Sequence, residues 1–160
     1  MCITMSDIKQ IAEKIKRRSD LGREYKAIDI VEDAEKVGEF LAENGCSSPY
    51  LMAFWENINR AERTCASEMA RFFDEERGEF AYQERLIFLQ PRLKYRYTKA
   101  KESEKKAFEA LEIIYSALLG KLSETYRPED KNSWDKMRQD IYKFKEFFQG
   151  IAAYFNALKK

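Results

Sequence analysis

At 160 residues the chain has the length of one ordinary domain, which spans about 100–200 residues and buries a core without disulfide or metal staples. Its composition, 44% hydrophobic, 14% aromatic and 36% charged with only six Gly and three Pro, points away from disorder and from sheet-rich folds with many tight turns. The net charge is only +1 and histidine is absent, so Ser-His-Asp and Cys-His nucleophilic sites, imidazole bases and His metal ligands are all excluded.

The opening "MCITMSDIKQ" lacks an apolar leader segment, and no run of about 18 apolar residues follows, so a cytoplasmic chain is expected. Between Ser6 and Arg18, Ile8, Ile11 and Ile15 recur at helical spacing, with Ser6 or Asp7 placed to cap the start and "SDLGREY" interrupting the pattern. Residues 1–26 are therefore expected to be an N-terminal amphipathic helix or a partly ordered arm. A single helical-bundle domain, residues 27–160, is expected to follow.

From about Asp29 to Asn44, Ile30, Ala34, Val37 and Leu41 make one stripe, and Gly45 stands where a left-handed residue ends a helix. A Ser before Pro49 opens a long helix with Leu51, Phe54, Trp55, Ile58, Ala61, Cys65, Met69 and Phe72 on one face, closed by "DEERGE". Leu86, Leu89, Leu93, Tyr97 and Ala100 form a further stripe across Pro91, which predicts either one kinked helix or a second start at the proline.

Ser103 is placed to cap a helix carrying Phe108, Leu111, Ile114, Leu118 and Leu122, ending near Pro128. The last helix begins near Ser133 and runs through Trp134, Met137, Ile141, Phe144, Phe148, Ile151, Phe155 and Leu158. No two-residue alternation is sustained anywhere. The prediction is an all-α fold, a five- to six-helix bundle with short loops.

No catalytic, cofactor-binding or metal-ligating set emerges, and an enzyme is not expected. Cys2, Cys46 and Cys65 are too widely spaced for a zinc site and fit free thiols. The carboxylates of "EDAEK" and "FFDEERGEF" lack the spacing of a cation loop and read as solvated faces. Phe144, Phe147, Phe148, Tyr154 and Phe155 cover more of the last helix than one core face needs, which suggests burial against another subunit, with simple core packing the competing reading.

Charge is unevenly spread. Residues 92–106 hold seven basic and two acidic side chains, whereas residues 23–79 hold seven basic and fourteen acidic. At about 100° per residue, Arg92, Arg96 and Lys99 share one flank of the apolar stripe, and Lys94 and Lys101 line the other. Guanidinium and ammonium groups suit phosphate oxygens, and Tyr95 lies where a base or sugar can stack. A solvated helix face is the competing reading of the same strip. Phosphate contacts alone read no sequence.

Set beside the last helix, "LIFLQPRLKYRYTKAK" resembles the Leu-x-Pro-Lys-Leu-x-Tyr-like segment of the small helical subunit of Csm-type (type III-A) CRISPR–Cas interference complexes. "FKEFFQGIAAYFNALKK" resembles that family's C-terminal helix, and the likeness covers roughly residues 47–160. It implies a non-catalytic, cofactor-free subunit that stacks in copies beside the backbone and large subunits and contacts CRISPR RNA and target RNA along their backbones. Arg92, Lys94 and Arg96 take the RNA-contact role by that resemblance, and Lys99 and Lys101 extend it by charge.

Where the family opens its preceding helix with an arginine-bearing run, "SSPYLM" supplies none, leaving Arg60 and Arg63 as secondary contacts about two or three turns on. The small subunit of the related Cmr-type (type III-B) complex, and a helical protein–protein adaptor without nucleic acid, are the alternatives.

Overall fold

The computed structural model describes residues 2–71, 80–125 and 130–159. These form seven helices: α1 Met5–Arg17, α2 Leu21–Glu24, α3 Ala27–Glu43, α4 Ser48–Arg71, α5 Ala81–Lys99, α6 Glu102–Thr125 and α7 Lys131–Leu158. The all-α prediction holds, with one helix more than expected. The addition is α2, a single turn inside "SDLGREY", where Asp20 accepts from the Arg23 amide and Asp140 of α7 accepts from the Gly22 amide at 2.7 Å. The expected helix ends at 74–79 and Pro128, the carboxylates at 74–79, and Phe72 lie outside the described residues.

Local chemistry sets most boundaries. Thr4, not Ser6 or Asp7, caps α1: its hydroxyl accepts from the Asp7 amide while Asp7 accepts from the Thr4 amide, the reciprocal capping box. Gly45 ends α3 at φ +74°, with the Cys46 amide donating back to the Leu41 carbonyl as a Schellman turn requires. Ser47 caps α4 through the Tyr50 amide. Lys101, not Ser103, immediately precedes α6, its carbonyl accepting from Glu104 and Lys105. Asp130 caps α7, which starts at Lys131, two residues before the expected Ser133.

α5 runs unbroken through Pro91. The proline deprives the Ile87 carbonyl of its donor, but both residues are exposed, so water can take that carbonyl. On the buried side α5 is tied to α6 by the Tyr115 hydroxyl donating to the Leu86 carbonyl and by Gln90 donating to Ser116 at 2.8 Å.

α6 is the centre of the bundle, touched by α1, α3, α5 and α7. Phe108, Leu111, Ile114, Leu118 and Leu122 are buried as expected, and so are Ala107, Ala110, Tyr115 and Leu119, which narrows the polar face of this stretch to a half-exposed line through Glu109, Glu112 and Ser116. α7 packs between α3 and α4. That arrangement favours core packing for its aromatics over burial against another subunit, because Phe144, Phe147, Phe148 and Phe155 are all buried within the chain itself and Tyr154 is half-buried. Phe147 meets Tyr25 at 5.8 Å, and Phe148 meets Phe54 at 5.5 Å. Leu158, expected inside, is exposed.

α3 approaches α7 closely at Gly38, where an added Cβ would come within 2.9 Å of the Ile151 carbonyl. α1 rests Ile8, Ile11 and Ile15 in the core beside α6. All three cysteines are free thiols; burial pushes the thiols of Cys46 and Cys65 up to about 12, so neither is a thiolate at neutral pH.

α4 and α5 are joined by a carboxylate. Glu68 accepts from the amides of Ala81 at 2.9 Å and Tyr82 at 3.0 Å, closing two orphan donors at the positive end of α5. Glu68→Ala is expected to cost about 1–2 kcal/mol. Chemical denaturation measures that cost, and hydrogen exchange would show the first turn of α5 opening.

Candidate nucleic-acid interface

α5 carries the strip. Arg85, Phe88, Arg92, Tyr95, Arg96 and Lys99 recur at steps of one to four residues that keep them on one face, and all are exposed. Tyr95 is 65% exposed and Phe88 56%, so both rings are accessible beside the cations. Lys94 lies across the buried seam of Leu86, Leu89 and Leu93, on the opposite flank. Lys101 is not on the helix at all, since Ala100 caps α5 one residue earlier. The structure thus gathers Arg92, Arg96 and Lys99 around Tyr95 and leaves Lys94 and Lys101 outside that group.

Pairing separates the cations further. Among the described residues, Arg92, Lys94, Arg96, Lys99 and Lys101 form no ion pair. Arg60 and Arg63 on α4 instead share Glu56, at 4.0 and 3.3 Å, so their charge is partly met at home. A polyanion therefore meets uncompensated charge on α5 and compensated charge on α4.

A groove of about 180 Å³ lies between the two helices. Tyr50 and Asn57 of α4 form one wall, Arg92, Tyr95 and Arg96 of α5 the other, and the side chain of Leu89 is among its apolar lining. The Arg96 guanidinium lies 5.6 Å from the ring centres of both Tyr50 and Phe108, which holds it at the rim by cation–π attraction. Lys99 lies 5.8 Å from the centre of Tyr95. Burial is the main reason the Tyr50 phenol rises to about 12, outweighing the nearby Arg96, and the hydroxyl stays protonated at neutral pH.

The sequence reading missed Arg85, Phe88, Tyr50 and Asn57. The first two continue the spacing of Arg92 and Arg96 back across Pro91, and only a continuous helix puts them on the strip. Tyr50 and Asn57 belong to a different helix, and no local pattern announces which part of α4 faces α5.

α3 carries a separate group of acidic residues. α3 packs on α7 and α6 and turns Glu32, Glu35 and Glu43 to solvent beside exposed Ile28 and Val31. Among the described residues no helix is long and apolar enough to cross a membrane.

In comparisons with known proteins, the model of a family described as Csm2 Type III-A matches residues 24–160, taking in α3 as well as the helices after it. No curated protein and no solved structure matches the chain.

Proposed function

Because the chain belongs to the Csm2 type III-A family, whose members are small subunits of that CRISPR interference complex, we propose that it serves there as a non-catalytic, cytoplasmic component that holds guide and target RNA by their backbones. The observation that carries this reading is the set of exposed, unpaired cations on α5, with Arg92, Arg96 and Lys99 gathered around Tyr95. Lys94 and Lys101 add to the positive field from outside the group, and Arg60 and Arg63, already shared with Glu56, contribute least.

Base pairing within the guide–target hybrid supplies sequence specificity, so a protein contact need offer only charge and shape. The acidic surface of α3 suits basic neighbours, whether further copies of this chain stacked head to tail or the backbone and large subunits.

One salt series tests both halves. RNA anisotropy is expected to show sequence-indifferent binding that weakens with salt, and sedimentation velocity at the same salts to show association that weakens in parallel. Absence of RNA binding at low salt and high protein concentration would refute the backbone contact. A monomer at every salt, alone and with the backbone subunit, would refute the stacking.

A further inference from the structure

Resting on the RNA-contact reading, we infer that the groove between α4 and α5 receives one unpaired nucleobase, so that a single strand is gripped by base and backbone and therefore more tightly than an intact duplex, which is held by its backbone alone. At about 180 Å³ the groove is smaller than the ~300–1,000 Å³ typical of sites for drug-sized ligands, and it suits one planar ring system. Its lining is what a base needs. Tyr95, exposed and with the Lys99 ammonium 5.8 Å from its ring centre, offers a ring on which a base can stack, and Leu89 and Phe54 belong to the apolar lining.

Asn57 supplies the polar edge. Its Nδ2 donates to the Ala53 carbonyl at 3.0 Å, a contact the amide oxygen could not make, so the orientation of the amide is settled. Oδ1 and the second N–H remain, one acceptor beside one donor, which matches edges found on every base. Recognition is then of a base as such and not of its identity, consistent with specificity residing in the guide.

Arg92 and Arg96 stand at the rim, within one helical turn of each other and of Tyr95, where the phosphates on either side of an inserted nucleotide would lie. A base stacked inside an A-form duplex cannot enter, because its faces are occupied by its neighbours.

The test uses the full chain and a labelled oligouridylate of about ten nucleotides, within the site sizes common for single-stranded binding. Three probes are titrated at several salts: that strand, a strand of equal length with abasic riboses at its centre, and the strand annealed to oligoadenylate. The base-bearing single strand is expected to bind about five-fold or more tightly than the abasic one, at similar salt slope. Tyr95→Ala should erase that difference, and Tyr95→Phe should keep it, since stacking needs the ring and not the hydroxyl. Tyr95 is exposed, so circular dichroism should show both variants folded.

Equal binding of base-bearing and abasic strands, both weakening with salt, would overturn the base groove while leaving the backbone contact standing. Tighter binding of the duplex would also overturn it. Failure of every probe to bind at low salt would overturn the groove and the RNA reading together.

Discussion

Reversing Arg92, Arg96 and Lys99 to glutamate is expected to lower RNA affinity about ten-fold or more and to make its salt dependence shallower by about two log units per log unit of salt. The slope follows from counterion release, worth about 0.7 per phosphate contact on a single strand, multiplied by three lost contacts. Affinity falls further because three anions now repel the backbone. The fold should survive, since all three side chains are exposed and break no ion pair among the described residues. The largest stability change comes from Arg96, whose attraction to Tyr50 and Phe108 is worth about 0.5–1 kcal/mol at an exposed site.

The same reversal at Arg60 and Arg63 is the internal control. Glu56 already neutralises part of their charge, so a smaller loss of binding is expected there. Equal losses at both places would mean that RNA senses only net charge and that the strip has no special part.

Phe148→Ala is expected to destabilise the chain by about 3–5 kcal/mol, the range for emptying a buried phenylalanine site. Its ring is 1% exposed and lies 5.5 Å from Phe54, 5.4 Å from Phe144, 5.7 Å from Phe147 and 6.1 Å from Tyr115, so four aromatic neighbours from three helices border the cavity. Against a total of about 5–15 kcal/mol this is a large fraction, corresponding to a melting point lower by roughly 6–20 °C for a chain of this size. Calorimetry measures the shift, and RNA binding below the transition should be nearly unchanged. A normal melting point with impaired assembly would place the ring in an interface instead.

The chain's helices were largely legible from spacing alone. Ile30, Ala34, Val37 and Leu41 are buried as their stripe requires, and Gly45 ends α3 in the left-handed conformation expected of it. Such features depend on residues within a few positions of one another. The capping of α1 by Thr4 shows where local reading slips, because three residues near the start carry suitable oxygens and only the box with Asp7 selects among them. Pro91 shows the limit more sharply. Whether a helix passes a proline depends on whether the freed carbonyl reaches water and whether neighbours such as Tyr115 and Ser116 brace the turn, and those lie more than twenty residues away.

The site divides along the same line. The helical fold, the apolar side of each helix and the shared flank of Arg92, Arg96 and Lys99 follow from the order of residues along the chain, because periodic burial is a local property of a 3.6-residue helix. Packing between distant segments is what encloses α7 on two sides and buries its phenylalanines, and stands Tyr50 and Asn57 across a groove from Tyr95. Those outcomes depend on the register between helices. Register is set by how side chains from distant segments fill shared volume, as where Glu68 meets the start of α5 and Tyr115 meets Leu86.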